Sequence, residues 1–137
     1  MTTLARDLME ANLVTVRESS SLLDVVHLLV QANISGVPVV DAAGSVVGVI
    51  SASDALQAFD QLLDEDQDEA EAAEPLDRVR TLEAGDVATP EVVFVSPTAS
   101  ANEVARVMRH EGIHRVLVGT RERLEGIISA FDLLASV

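Results

Sequence analysis

Hydrophobic positions along the chain change period in a fixed order. Leu13-Val14-Thr15-Val16 is a short run rich in β-branched residues and reads as a strand. Ser19, Ser20 and Ser21 offer a helix N-cap, because a hydroxyl can accept from an orphan N–H of the first turn. Leu22, Val25, Val26, Leu29 and Val30 then recur at helical spacing, which predicts a helix over 21–32. Gly36 is expected to end it. Val37-Pro38-Val39-Val40 predicts a second strand, its proline suited to a strand start or edge. Asp41-Ala42-Ala43-Gly44 is a turn. Val46-Val47-Gly48-Val49-Ile50 is apolar almost throughout, as in a strand covered on both faces. Ser51 lies at its end, and a last helix is expected to begin near Ala52. The unit reads β-α-β-β-α.

The same unit occurs twice. At an offset of 79 residues Asp7 falls on Asp86, Val14 on Val93, Val16 on Val95, Ser21 on Ser100, Val25 on Val104, Ile34 on Ile113, Val37 on Val116 and Val39 on Val118. One deletion in a turn changes the offset to 78, and Gly48 then falls on Gly126, Ile50 on Ile128, Ser51 on Ser129 and Asp54 on Asp132. The second copy predicts strands at Val92–Val95, Arg115–Val118 and Leu124–Ser129, a helix from Ser100 to about Glu111, and a short terminal helix. Three short strands are marginal alone. The expected fold is therefore α+β: two β-α-β-β-α repeats, 1–59 and 81–137, packed about a pseudo-twofold axis and joined by a linker over 60–80.

Composition narrows the chemistry. The chain has 137 residues, a net charge of −14, no cysteine and an aromatic share of only 2%. Disulfide scaffolds, thiolate metal sites and cysteine nucleophiles are excluded. All nine basic residues are arginine, so a Schiff base and a phosphate-loop lysine are excluded as well. The charge and the scarcity of rings argue against nucleic acid and against an anionic membrane surface. No apolar run approaches a spanning helix and the N-terminus lacks a signal peptide's pattern, so a cytoplasmic location is expected. Asp60–Glu74 holds eight acids and no base, more than half of the net charge. Leu56, Phe59, Leu62 and Leu63 have helical spacing, so the preceding helix should run on into it. Beyond Asp64 a solvated, mobile linker is expected, with a docking surface for a basic partner or a divalent-cation site as the alternatives.

Candidate chemistry gathers where the third strand meets its helix. Gly48-Val49-Ile50-Ser51-Ala52-Ser53-Asp54 and Gly126-Ile127-Ile128-Ser129-Ala130-Phe131-Asp132 each place a hydroxyl at the strand end and an aspartate three residues later. A helix N-terminus receives phosphate, and a carboxylate beside it can accept from both hydroxyls of a ribose. Helix capping by Ser51 and Ser129 with an acid at the third helical position is the other reading. Both stand open on sequence.

With Asp7-Leu8-Met9, Val14-Thr15-Val16, Ile34-Ser35-Gly36-Val37-Pro38-Val39-Val40-Asp41 and the two Gly-Φ-Φ-Ser-x-x-Asp endings, the chain resembles a tandem pair of cystathionine-β-synthase (CBS) domains, the Bateman module. The resemblance spans nearly everything but the acidic linker. It implies two clefts between the paired repeats, each taking AMP, ADP, ATP or S-adenosylmethionine as a regulatory ligand, with no cofactor or metal. It implies a homodimer that signals to a partner protein. Carried over by position, Asp54 and Asp132 would bind ribose hydroxyls, and Ser51 and Ser129 phosphate or ribose. The backbone around Val14, Thr15 and Val16, and around Val93 and Phe94, would sandwich adenine with the apolar walls Val37, Pro38 and Val116. His114 and Arg115 resemble the family's basic pair, with Arg115 on phosphate; Ser35 and Gly36 stand at the equivalent place in the first repeat. The implied arrangement turns Arg115 toward the cleft of Asp54, and Ser35 and Gly36 toward that of Asp132. The other reading of His114-Arg115 is a solvated pair at a strand entrance.

An enzyme is not expected. His27, His110 and His114 form no metal-spaced pair, since Gly112 interrupts the helix between the last two, and no serine sits in a nucleophile elbow. Two functions remain: a stand-alone adenosine-ligand sensor, or a scaffold without ligand that acts through its surface and acidic linker.

Overall fold

The computed structural model describes residues 2–66, 77 and 80–136. In chain order the elements are α1 (Ala5–Leu8), β1 (Val16–Arg17), α2 (Leu22–Ala32), β2 (Gly36–Val40), β3 (Val46–Ser51), α3 (Ala52–Asp66), α4 (Ala84–Val87), β4 (Phe94–Val95), α5 (Ala101–Glu111), β5 (Arg115–Gly119), β6 (Leu124–Ser129) and α6 (Ala130–Ala135). The chain forms two compact units: Val14–Glu91, and Met1–Leu13 with Val92–Val137. Each carries the anticipated β-α-β-β-α order and one three-stranded sheet, β1-β2-β3 or β4-β5-β6, with a parallel first pair and an antiparallel second.

Local signals set the helices. Ser21 caps α2 by accepting from the Asp24 N–H at 3.1 Å, and Ser100 caps α5 by accepting from the Glu103 N–H at the same distance. Gly36 does not end α2. Asn33 does, in the left-handed region at φ 54°, and Gly36 opens β2 instead. Gly112 ends α5 at φ 66°. In the first unit Val25, Leu29, Val37, Val39, Ile50 and Ala84 form the core, with Leu22, Ala55 and Leu62 packed between α2 and α3. In the second unit Ala5, Val95, Val104, Met108, Val116, Val118 and Ile128 do the same work. The middle strands β2 and β5 are buried on both faces, which accounts for their nearly continuous apolar runs, Val37-Pro38-Val39-Val40 and Val116-Leu117-Val118.

One expectation here needs revision. The first strands are shorter than the runs Leu13–Val16 and Val92–Val95, because only Val16–Arg17 and Phe94–Val95 pair with a neighbour in the sheet. The compact units are composed differently from the sequence repeats 1–59 and 81–137, because the segments that precede the first strands exchange places. Residues 3–10 bond to the second unit: the Ala5 N–H donates to Ala99 O at 2.7 Å, Ala101 N–H to Thr3 O at 2.9 Å and Glu10 N–H to Ile127 O at 2.9 Å. Residues 82–89 bond to the first unit: Ala84 N–H donates to Ser20 O at 2.7 Å, Leu22 N–H to Leu82 O at 2.9 Å and Val49 N–H to Thr89 O at 3.0 Å. Backbone groups at a sheet edge need partners wherever the chain can supply them, and these come from far along it. As the spacing of Leu56, Phe59, Leu62 and Leu63 led us to expect, α3 runs on into the acidic segment, to Asp66. The acidic stretch 67–76, on which the solvated-linker, basic-partner and cation readings fall, lies outside the described residues.

Candidate functional site

The two strand ends fold alike. The Ser51 N–H donates to Asp54 Oδ2 at 2.8 Å, and the Asp54 N–H donates to Ser51 Oγ at 3.1 Å. Ser129 and Asp132 repeat this at 2.8 and 3.1 Å. Each is a reciprocal capping box with aspartate as its acid, so the capping reading holds at both. It does not exhaust the groups. Oδ1 of Asp54 and of Asp132 accepts no hydrogen bond among the described residues, and both side chains are half-buried rather than covered. Each serine hydroxyl accepts from its aspartate N–H and keeps its own proton to donate. A carboxylate held in one orientation through one oxygen, with the other oxygen open, is pre-organised to accept from a ligand hydroxyl.

The second strand of each sheet starts beside the box. Gly36 is in register with Ser51, and Ser35 O accepts from the Ala52 N–H at 2.9 Å. Arg115 is in register with Ser129, and His114 O accepts from the Ala130 N–H at 2.8 Å. Ser35, Gly36, Ser51 and Asp54 thus share one sheet end in the first unit, and His114, Arg115, Ser129 and Asp132 share the corresponding end in the second. Because β1 runs parallel to β2 with Val16 opposite Val39, Val14 and Thr15 precede it toward that same end, where both are exposed. Val93 and Phe94 hold the equivalent place in the second unit and are half-buried, and the Arg121 guanidinium lies 5.6 Å from the Phe94 ring centroid.

Val37, Pro38 and Val116 do not form apolar walls open to a ligand. Their side chains are fully buried, and Val37 and Val116 belong to the cores of their units. Pro38 lies on β2, which is covered on both faces.

In the first unit Asp54 borders a groove of about 510 Å³ that also takes in Gln57, Gln61, Thr81, Asp86 and Thr89. Gln57 and Gln61 follow Asp54 at helical spacing and were readable from that period. Thr81, Asp86 and Thr89 were not, because the segment that carries them is distant in sequence. Gly48 and Gly126, noted only as motif glycines, admit these segments. A β-carbon at Gly48 would stand 2.7 Å from the Thr89 carbonyl oxygen, and one at Gly126 would meet the Met9 side chain. Two acids and no base line the groove, so it suits hydroxyl and amide groups better than bare phosphate. Among the described residues no cluster of three or more metal-ligating side chains occurs, and no helix is long and apolar enough to cross a membrane.

The chain is similar to known proteins over nearly its whole length. The family model described as CBS domain matches residues 5–61 and again 84–137. An uncharacterized protein of Methanocaldococcus jannaschii is 26% identical over 129 residues, covering 94% of this chain, which in turn spans 41% of that relative's length. Among solved structures, the CBS domain of a CBS domain-containing membrane protein from Sphaerobacter thermophilus is 32% identical at a TM-score of 0.79, over 99% of this chain and 88% of that one. CBSX2, solved in complex with AMP, is 27% identical at a TM-score of 0.75, over 98% and 95% of the two chains. Two matches in tandem, on the two sequence repeats that carry the paired serine and aspartate boxes, settle its kinship: the chain belongs to the CBS-domain family.

Proposed function

We propose that this protein is a regulatory sensor of an adenosine-containing ligand: AMP, ADP, ATP or S-adenosylmethionine. Asp54 and Asp132 accept from ribose hydroxyls through Oδ1, Ser51 and Ser129 donate to ribose or phosphate, and Arg115 with His114 balances phosphate charge. The observation that carries this reading is the duplicated box, in which one carboxylate oxygen is held by the backbone while the other accepts nothing among the described residues. The similarity to CBSX2, whose structure contains AMP, supports it.

The response passes to a partner protein, and the working form is a cytoplasmic homodimer. Exposed apolar side chains on the helices support self-association: Leu56 is 69% exposed, Phe131 76% and Leu134 71%. In this reading the protein acts as a sensor rather than as an enzyme.

A thermal-shift and calorimetric panel of AMP, ADP, ATP and S-adenosylmethionine tests the reading. A ligand at a hundred times its Kd stabilises by about 2.7 kcal/mol, a readily measured rise in melting temperature. The rise should vanish in the double variant Asp54→Ala, Asp132→Ala. No rise with any of these ligands in the unsubstituted protein overturns the proposal.

A further inference from the structure

Of the chain's three methionines, two lie among the described residues. Met108 is 5% exposed and belongs to the core of the second unit. Met9 is half-buried and packs against that same core. Its Sδ, Cγ and Cβ are the atoms nearest to where a β-carbon would stand on Gly126, so the side chain lies directly across the backbone of β6. A pair of backbone bonds follows at once: the Glu10 N–H donates to Ile127 O at 2.9 Å, and the Ile127 N–H to Glu10 O at 3.3 Å. The equivalent place in the first unit is made differently. At the repeat offset Met9 falls on Ala88, which stands beside Gly48 as Met9 stands beside Gly126. Of the two bridges, the one in the second unit alone is closed by a thioether. The chain has no cysteine, tryptophan or tyrosine, so thioethers are its most readily oxidised side chains.

We infer that Met9 is a reversible oxidation site for peroxides, through which an oxidant loosens residues 3–10 from β6. The sulfur lone pair attacks one oxygen of hydrogen peroxide. An S–O bond forms, the O–O bond breaks, and sulfur is oxidised by two electrons. The proton on the transferred oxygen passes to the departing hydroxide, which leaves as water. The product is a polar, branched sulfoxide where a flexible apolar chain had lain flat on a glycine. Its oxygen needs a hydrogen-bond donor, and the apolar core against which Met9 packs offers none. The oxidised side chain turns out toward water and takes the Glu10–Ile127 bridge with it. The first unit, with Ala88 at this place, does not respond. None of this depends on the adenosine ligand.

Dilute hydrogen peroxide applied to the full chain tests this, followed by peptide mass mapping, hydrogen exchange and thermal melts. Met9 should gain one oxygen atom before Met108 does. The Glu10 and Ile127 amides should then lose protection, while the Val49 and Thr89 amides of the first unit keep theirs. The melting temperature should fall by about 3–9 °C, the effect of setting a polar group against apolar packing. Methionine sulfoxide reductases A and B together should restore each readout. Met9→Leu keeps the other methionines and the apolar bulk, and its melting temperature and amide protection should not change with peroxide. Met9→Ala, which copies the first unit, serves if leucine does not fold. Slower oxidation of Met9 than of Met108 overturns the inference. So does unchanged protection at both amides in the oxidised protein, or an equal response to peroxide in either variant.

Discussion

Replacing Gly48 by alanine adds one methyl group at the tightest crossing in the first unit. Its carbon would lie 2.7 Å from the Thr89 carbonyl oxygen, 3.1 Å from Ala88 Cβ and 3.2 Å from the Thr89 carbonyl carbon. The obstacle is backbone, so no side chain can turn away. That same oxygen accepts from the Val49 N–H at 3.0 Å, and the Thr89 N–H donates to Val49 O at 2.9 Å. Relief of the overlap therefore strains or breaks two bridges. Overpacking of this kind costs about 1–3 kcal/mol, and each weakened hydrogen bond about 1 kcal/mol. The lower entropy of an alanine in the unfolded chain returns about 0.4–1 kcal/mol. The balance is a net loss of about 2–4.5 kcal/mol, or a melting temperature lower by about 6–14 °C at this chain length. Circular dichroism melts measure the drop, and hydrogen exchange at the Val49 and Thr89 amides locates it. Gly126→Ala should also destabilise, since the added carbon meets the Met9 side chain down to its β-carbon, 2.8 Å away, which only a backbone shift can move. A Gly48→Ala protein that melts within 1 °C of the parent, with both amides still protected, would refute the close-approach argument.

Other substitutions probe the caps and the exposed helices. Ser51→Ala and Ser129→Ala each remove an acceptor for an aspartate N–H and should cost about 1 kcal/mol, seen as a melting temperature lower by about 3 °C; no change would show that the boxes contribute nothing to stability. Asn33→Gly should raise stability by a few tenths to about 1 kcal/mol because φ is 54°, and Gly112→Ala should lower it by about 1 kcal/mol because φ is 66°; the opposite order in urea melts would contradict the left-handed caps. Leu56→Glu combined with Phe131→Glu tests the proposed homodimer: the sedimenting mass should fall to that of a monomer, and an unchanged mass would remove those side chains from any interface.

Much of this architecture could be read from the residues because its signals are local. Ser21 and Ser100 announce α2 and α5, the valine runs announce β2 and β5, and a nearly constant offset ties the repeats together. What escaped was whatever depends on distant partners. β1 looked longer than it is, since β-branched residues at Val14 and Thr15 carry propensity, but Pro38 denies them a donor. Gly36 looked like a helix stop, because nothing short-range says that Asn33 will take the left-handed cap first. The paired serine and aspartate were visible by spacing. Their reciprocal bonds decided that the boxes cap, and the unused oxygen shows what a cap leaves over. The apolar walls Val37 and Val116 were misjudged because hydrophobicity alone does not say which face of a strand a core will claim.

The exchange of the segments 3–10 and 82–89 has a consequence for how the protein is made. A ribosome releases the first dozen residues long before the strands they serve exist, so that segment must wait, unpaired, for most of translation. Contacts that close so late and across so much chain slow folding. A gene cut between its repeats should yield two halves that each lack an edge and recover it only from the other, so co-expression of the halves, not either alone, is the route to soluble fragments.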